Sequence, residues 1–366
     1  MTAGGAATGG RSATGGSSVV VGAGGSNAAT GGIVSTGGAA GGSPTTGGAR
    51  TGGAPATGGS NAGTGGVTSS AGAATGGKSS TGGARTGGAS SIGGSGAGTG
   101  GATATGTCPS GGWAPGKQTI TTTWGGVARS YVVYIPKNYA GTSPVPLTMV
   151  IHGAHNTPAL AESWSQMDPI AEQNGFIIIY PAGLDCWNVG GTILNGCTAA
   201  ADDVGFLNNV ITEVESHACI DTKRVYVTGI SNGSMMAQYM GCHFANIFAA
   251  AGGVAAGGGC SPSRPLPIFY VLGTADELVG WDNGANALNW AKRDNCNTTA
   301  PVTVYDQGGN TCIVYQGCSA GVEVEFCAVT GMPHCWPDNC YQGSSGYTPF
   351  KVSPLMWQFF SRFSLP

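Results

Sequence analysis

The stretch Arg224-Val225-Tyr226-Val227-Thr228-Gly229-Ile230-Ser231-Asn232-Gly233-Ser234-Met235-Met236 decides the fold. It begins as a β-favouring run, turns through Gly-x-Ser-x-Gly and continues with helix-compatible residues. A serine at such a strand-to-helix turn needs small residues two positions to either side. Only then can the backbone bend sharply and hold the hydroxyl exposed. With 69 glycines in 366 residues, the pentapeptide alone is weak. A second copy, Gly317-Cys318-Ser319-Ala320-Gly321, sits between two β-type runs and reads as a hairpin tip. Context therefore selects Ser231 as the nucleophile.

Working outward, Gln118–Trp124 and Arg129–Pro136 read as an antiparallel hairpin across Gly125-Gly126. Leu147–Ile151 and Phe176–Tyr180 are apolar strands, with helical spacing over Ser163–Asn174 between them. Val204–His217 reads as a helix capped by Asp202 or Asp203. After the Ser231 turn come a helix over Asn232–Cys242, strands at Phe248–Val254 and Ile268–Leu272, and a helix over Ala285–Asn295. A hairpin, Thr311–Gln316 with Val322–Val329, and a helix near Pro354–Phe363 complete the chain. Buried strands alternating with helices predict an α/β architecture, an α/β-hydrolase fold with a mostly parallel sheet covered on both faces. Active sites in such sheets lie at the carboxyl ends of strands.

Composition divides the chain. Residues 1–107 are almost entirely Gly, Ala, Thr and Ser, with no aromatic residue, Cys, His or acid. Too little apolar surface exists there to offset ordering entropy, so a disordered linker is expected. It contains a phosphate-loop pattern, Gly72 to Ser79, without the strand and helix that the motif requires. Residues 108–366 hold all 12 Cys, all 8 Trp and all 17 acids, and read as one α/β domain. Removing the linker's four cations from the chain's net −3 leaves −7 on this part, which speaks against a nucleic-acid partner. The cysteines form no CxxC pair and lack a His cluster, so they read as disulfides of an oxidising compartment rather than a metal site. A secreted or surface-anchored protein is expected, although no export signal is visible. No apolar run approaches the ~20 residues of a membrane span.

A serine nucleophile needs a base, and the base an orienting acid. In α/β-hydrolases these follow in the order Ser, acid, His. Of five His, only His334 lies beyond both Ser231 and a strand-end acid. The acid is Asp276, just past Ile268–Leu272, with Glu277, Asp282 and Asp306 as competitors. The oxyanion donors are the backbone N–H groups of Asn232 and, after Leu147–Ile151, of Ala154. Such a site uses no cofactor and no metal.

Ile151-His152-Gly153, Asp202-Asp203-Val204-Gly205-Phe206, the Ser231 stretch and His334-Cys335-Trp336-Pro337 occur in that order. Together they resemble carbohydrate esterase family one, the group of feruloyl esterases, acetylxylan esterases and polyhydroxybutyrate-depolymerase-like proteins. The resemblance spans roughly residues 108–366 and implies the same triad, Ser231, Asp276 and His334. Two departures are visible. Leu272-Gly273-Thr274 stands where many members have His-Gly-Thr, and Ile230 replaces the Cys that tannase-like relatives place before the serine. Cys335 must then pair elsewhere, with Cys340 nearby; Cys186–Cys197 and Cys296–Cys318 are further candidates.

The resemblance leaves the substrate open, and a feruloyl ester of plant cell-wall polysaccharide is the first reading. A polyester depolymerase or acetylxylan esterase is the alternative, and a catalytically silent surface-binding protein the third reading. Trp187, Trp281 and Trp336, with His152, are candidate substrate contacts near the strand ends. The protein is expected to act as a monomer on a polymeric or polysaccharide-linked ester.

Overall fold

The computed structural model describes residues 108–197, 201–340, 347 and 350–366. The linker expected over residues 1–107 lies outside the described residues. All elements below belong to the unit Ile92–Pro366.

Ten strands form one sheet among the described residues. In chain order the strands are β1 (Gly116–Trp124), β2 (Val127–Ile135), β3 (Val145–Ile151), β4 (Ile177–Pro181) and β5 (Ile220–Gly229). They continue with β6 (Ala250–Val254), β7 (Ile268–Gly273), β8 (Val302–Gln307), β9 (Asn310–Tyr315) and β10 (Val324–Val329). The spatial order is β1-β2-β4-β3-β5-β6-β7-β10-β9-β8. From β4 to β10 every neighbouring pair is parallel, and the outer pairs on both sides are antiparallel. This is the expected mostly parallel sheet with an opening hairpin.

Among the described residues six α-helices cover it: α1 (Pro158–Ser165), α2 (Met167–Asn174), α3 (Asp203–His217), α4 (Asn232–His243), α5 (Ala285–Arg293) and α6 (Val352–Phe360). Alternation within the strands feeds two cores. Ile177 and Ile179 of β4, with Val225 and Val227 of β5, pack with Phe206 and Val210 of α3, Met240 of α4 and Trp290 of α5. Ile178, Tyr180 and Tyr226 point the other way and pack with Met167, Ala171, Met356 and Trp357. A period of two therefore sorts each strand between the layers.

The structure corrects some details. The helix read over Ser163–Asn174 is two helices, broken at Gln166 in the left-handed conformation (φ 52°). At the break the Ser165 carbonyl accepts a 2.6 Å bond from Ser353 Oγ, so a tertiary contact takes up a helix-end acceptor. Strand β8 went unread because it is an edge strand exposed along most of its length and lacks a buried face. Of the two capping candidates, Asp202 accepts from Gly205 N at 2.9 Å, whereas Asp203 turns inward to Arg129. Ser319 lies in a short turn between β9 and β10, as a hairpin tip should.

Candidate active site

Strand β5 delivers Ser231 and helix α4 begins immediately after it. The serine has φ 56° and ψ −125°, a conformation that is strained for a residue with a side chain. Three backbone bonds hold it there: Ser231 N to Val254 O at 2.9 Å, Gly233 N to Ile230 O at 2.8 Å, and Ile230 N to Ile151 O at 3.1 Å. The flanking glycines are required by close approach. A Cβ on Gly229 would lie 2.4 Å from Gly233 O, and one on Gly233 would lie 2.2 Å from His152 O. Sequence and geometry thus agree on a sharp elbow.

Asp276 and His334 leave the same end of the sheet, beyond β7 and β10, which are parallel neighbours. His334 Nδ1 lies 3.0 and 2.9 Å from the two carboxylate oxygens of Asp276. The Asp276 side chain is fully buried, and its Oδ1 also accepts from Leu278 N and Val279 N, each at 3.0 Å. These bonds fix the carboxylate before it meets the imidazole. Glu277 binds the backbone instead, accepting from His334 N at 3.3 Å. Among the described residues no hydrogen bond joins the Ser231 hydroxyl to His334. In resting hydrolases that contact often tightens only when substrate binds.

The two oxyanion candidates are main-chain groups. Asn232 opens α4, where the first N–H groups have no partner within the helix. Ala154 follows Gly153, whose own Cβ position would be 3.3 Å from Ser231 Cβ, so this loop passes directly beside Ser231.

The four proposed substrate contacts separate by exposure. Trp281 is 38% exposed, but His152, Trp187 and Trp336 are buried at 0%, 0% and 1%. Trp187 Nε1 donates to His152 O at 2.8 Å and Trp336 Nε1 to Ser353 Oγ at 2.9 Å, so their polar ends are turned inward. These three residues are therefore packed into the protein, and Trp281 alone of the four offers an exposed face. His152 Nε2 accepts from Gly183 N at 2.9 Å, which places its proton on Nδ1, 2.7 Å from Gly153 O. Desolvation lowers this imidazole to about 4, so it is neutral at physiological pH.

Six disulfides join Cys108–Cys219, Cys186–Cys197, Cys242–Cys260, Cys296–Cys318, Cys312–Cys327 and Cys335–Cys340. Cys335 beside the proposed base is therefore tied to Cys340, and the three candidate pairs are among the six. Two Cys-containing clusters have metal-like spacing, His155 with Cys186 and Cys197, and Glu325 with Cys312 and Cys327. Each contains a disulfide, which leaves no thiolate to bind a metal. The His155–Asp185 pair (Nδ1 to Oδ1, 2.6 Å) and the Asn232 side chain were not singled out from sequence.

Residues 129–261 match the family described as esterase PHB depolymerase. Over those residues the chain is similar to this family. Feruloyl esterase B of Piromyces equi is 32% identical over 267 residues, 65% of this chain and 46% of that relative. The chain thus spans less than half the length of that protein. Feruloyl esterase D of Neurospora crassa is 28% identical, with 68% of this chain and 86% of the relative covered. Among solved structures, an acetyl xylan esterase from Aspergillus awamori superposes with a TM-score of 0.50 at 19% identity, covering 67% of this chain and 98% of that one. That likeness shows the shared α/β-hydrolase fold. Among the described residues, no helix is long and apolar enough to cross a membrane.

Proposed function

We propose that residues 108–366 form a serine esterase that hydrolyses carboxylic esters through an acyl-enzyme. The observation that carries this reading is the buried Asp276–His334 pair, set on strands two and three places along the sheet from a strained serine elbow. Ser231 attacks the ester carbonyl while His334 takes its proton, and Asp276 holds the imidazole tautomer and stabilises its positive charge. Asn232 N–H and Ala154 N–H receive the oxyanion. His334 then protonates the leaving alcohol and later activates the water that releases the acid.

The substrate proposed is a hydroxycinnamoyl ester of plant cell-wall polysaccharide. Two relatives bear the name feruloyl esterase, and the loop carrying the acid exposes Leu278, Val279 and Trp281 at 72%, 45% and 38%. Consecutive apolar residues beside the acid suit an aromatic acyl group. The family match over 129–261 favours a second reading, a short-chain polyester, and a relative named as a bifunctional acetylxylan esterase/xylanase a third, acetylated xylan. A panel of methyl ferulate, polyhydroxybutyrate film and acetylated xylan separates them. Ferulate release is expected to be fastest; clearing of the film without ferulate release would reverse the order. The six disulfides support export, and action as a monomer is part of the same proposal.

A further inference from the structure

Residues 182–188 belong to no helix or strand, yet their polar groups are extensively bonded. Ala182 N donates to Ser130 O at 2.9 Å, and Ala182 O accepts from Arg129 Nη2 at 3.1 Å. The same nitrogen pairs with Asp203 Oδ1 at 2.7 Å, and the other Asp203 oxygen accepts from Asn188 N at 2.8 Å. Both ends of the segment therefore hang on one ion pair whose side chains are 1% exposed. Within the segment, Cys186 is bonded to Cys197.

Alternate residues of this segment reach the two loops that flank Ser231. Gly183 N binds His152 Nε2 at 2.9 Å, and Trp187 Nε1 binds His152 O at 2.8 Å. Asp185 grips His155 twice, through its carbonyl to His155 N at 2.9 Å and through its carboxylate to the ring at 2.6 Å. Ala154 lies between those two histidines. On the other side, Trp187 N donates to Asn232 Oδ1 at 2.6 Å while Asn232 Nδ2 donates to Trp187 O at 3.3 Å. One segment thus holds Asn232 on one side and, on the other, the two histidines that flank Ala154.

We infer that Gly183–Asn188 is a brace that sets the spacing of the two oxyanion donors, and that the Asn232 side chain and Trp187 are its positioning residues. The inference rests on the esterase reading above. Asn232 is 1% exposed and Trp187 0%, so neither side chain touches substrate; each acts through the main chain it fixes. Hydrogen-bond donors aimed at developing charge work only when held in place in advance.

Asn232→Ala keeps the backbone N–H and removes the bridge to Trp187, whereas Trp187→Phe keeps an aromatic, though smaller, ring and removes the bond to His152. Each is to be measured for kcat and KM on p-nitrophenyl acetate, for inhibition by a phenylboronic acid that forms a tetrahedral serine adduct, and for thermal midpoint. Asn232→Ala should lose about 10²-fold in kcat at nearly constant KM, the scale of a small misplacement. Boronate affinity should fall in parallel, with Trp187→Phe showing a smaller loss of the same kind. Because both changes loosen one brace, the double variant should lose less than the product of the single losses. Asn232→Ser provides a second replacement should Asn232→Ala fail to fold, and should show the same kcat-specific loss. A lowered thermal midpoint with kcat and boronate affinity unchanged would overturn the brace and leave the esterase reading standing. That reading has its own control: it fails if Ser231→Ala remains active.

Discussion

Asp276 holds the Nδ1 side of His334 with both carboxylate oxygens, at 3.0 and 2.9 Å, across 58 residues of sequence. A buried carboxylate so placed fixes the ring's tautomer, leaving Nε2 unprotonated to act as base. Asp276→Asn should therefore lower kcat by about 10⁴-fold with little change in fold. Glu277 meets only the backbone of His334, so Glu277→Gln should cost less than about 10-fold, on the scale of a peripheral contact. Steady-state kinetics of the two variants side by side checks the assignment of the acid.

The elbow predicts a steric result. A methyl group at Gly229 or Gly233 would sit 2.4 or 2.2 Å from a backbone carbonyl oxygen, and backbone cannot move aside as a side-chain tip can. Gly229→Ala and Gly233→Ala should each destabilise by about 1–3 kcal/mol or more, and abolish activity where the chain still folds. Denaturant midpoints and ester turnover measure both consequences.

His152 gives stability a pH dependence of known sign. Its folded value is lowered to about 4, from 6.5 when unfolded, because burial disfavours the imidazolium. The folded state therefore binds fewer protons than the unfolded one between those values. The stabilising contribution is intact above about pH 6.5 and is lost progressively as pH falls to about 4, where the loss levels off. His152→Gln should flatten the thermal midpoint against pH across that window.

Cys108–Cys219 ties the start of the described chain to the start of β5 across 111 residues. Closing a loop of that size restricts the unfolded chain by about 4.7 kcal/mol in the entropic picture. Replacing both cysteines by Ser should lower the thermal midpoint by several degrees without altering KM. Under non-reducing conditions, mass spectrometry should find no free thiol.

Much of the fold was legible because its signals are local. Fully buried strands such as Ile177–Pro181 are continuous apolar runs, and the Ser231 turn announces itself by strand, small residues and helix. Edge strand β8 escaped because its exposed face carries no pattern. At the site, chain order was enough to nominate Asp276 and His334 from sequence. The roles of His152, Trp187 and Trp336 were not legible, since a tryptophan near a strand end reads the same whether it faces a cleft or packs behind one. The Asn232–Trp187 bridge spans 45 residues and the His155–Asp185 pair 30, so neither leaves a local trace.

The central claim is that Ser231 is the nucleophile, and p-nitrophenyl acetate hydrolysis by Ser231→Ala tests it most directly. The variant should keep its circular dichroism spectrum and thermal midpoint while its turnover falls to the background of the uncatalysed reaction. Turnover at the wild-type rate in a folded Ser231→Ala protein would contradict the account.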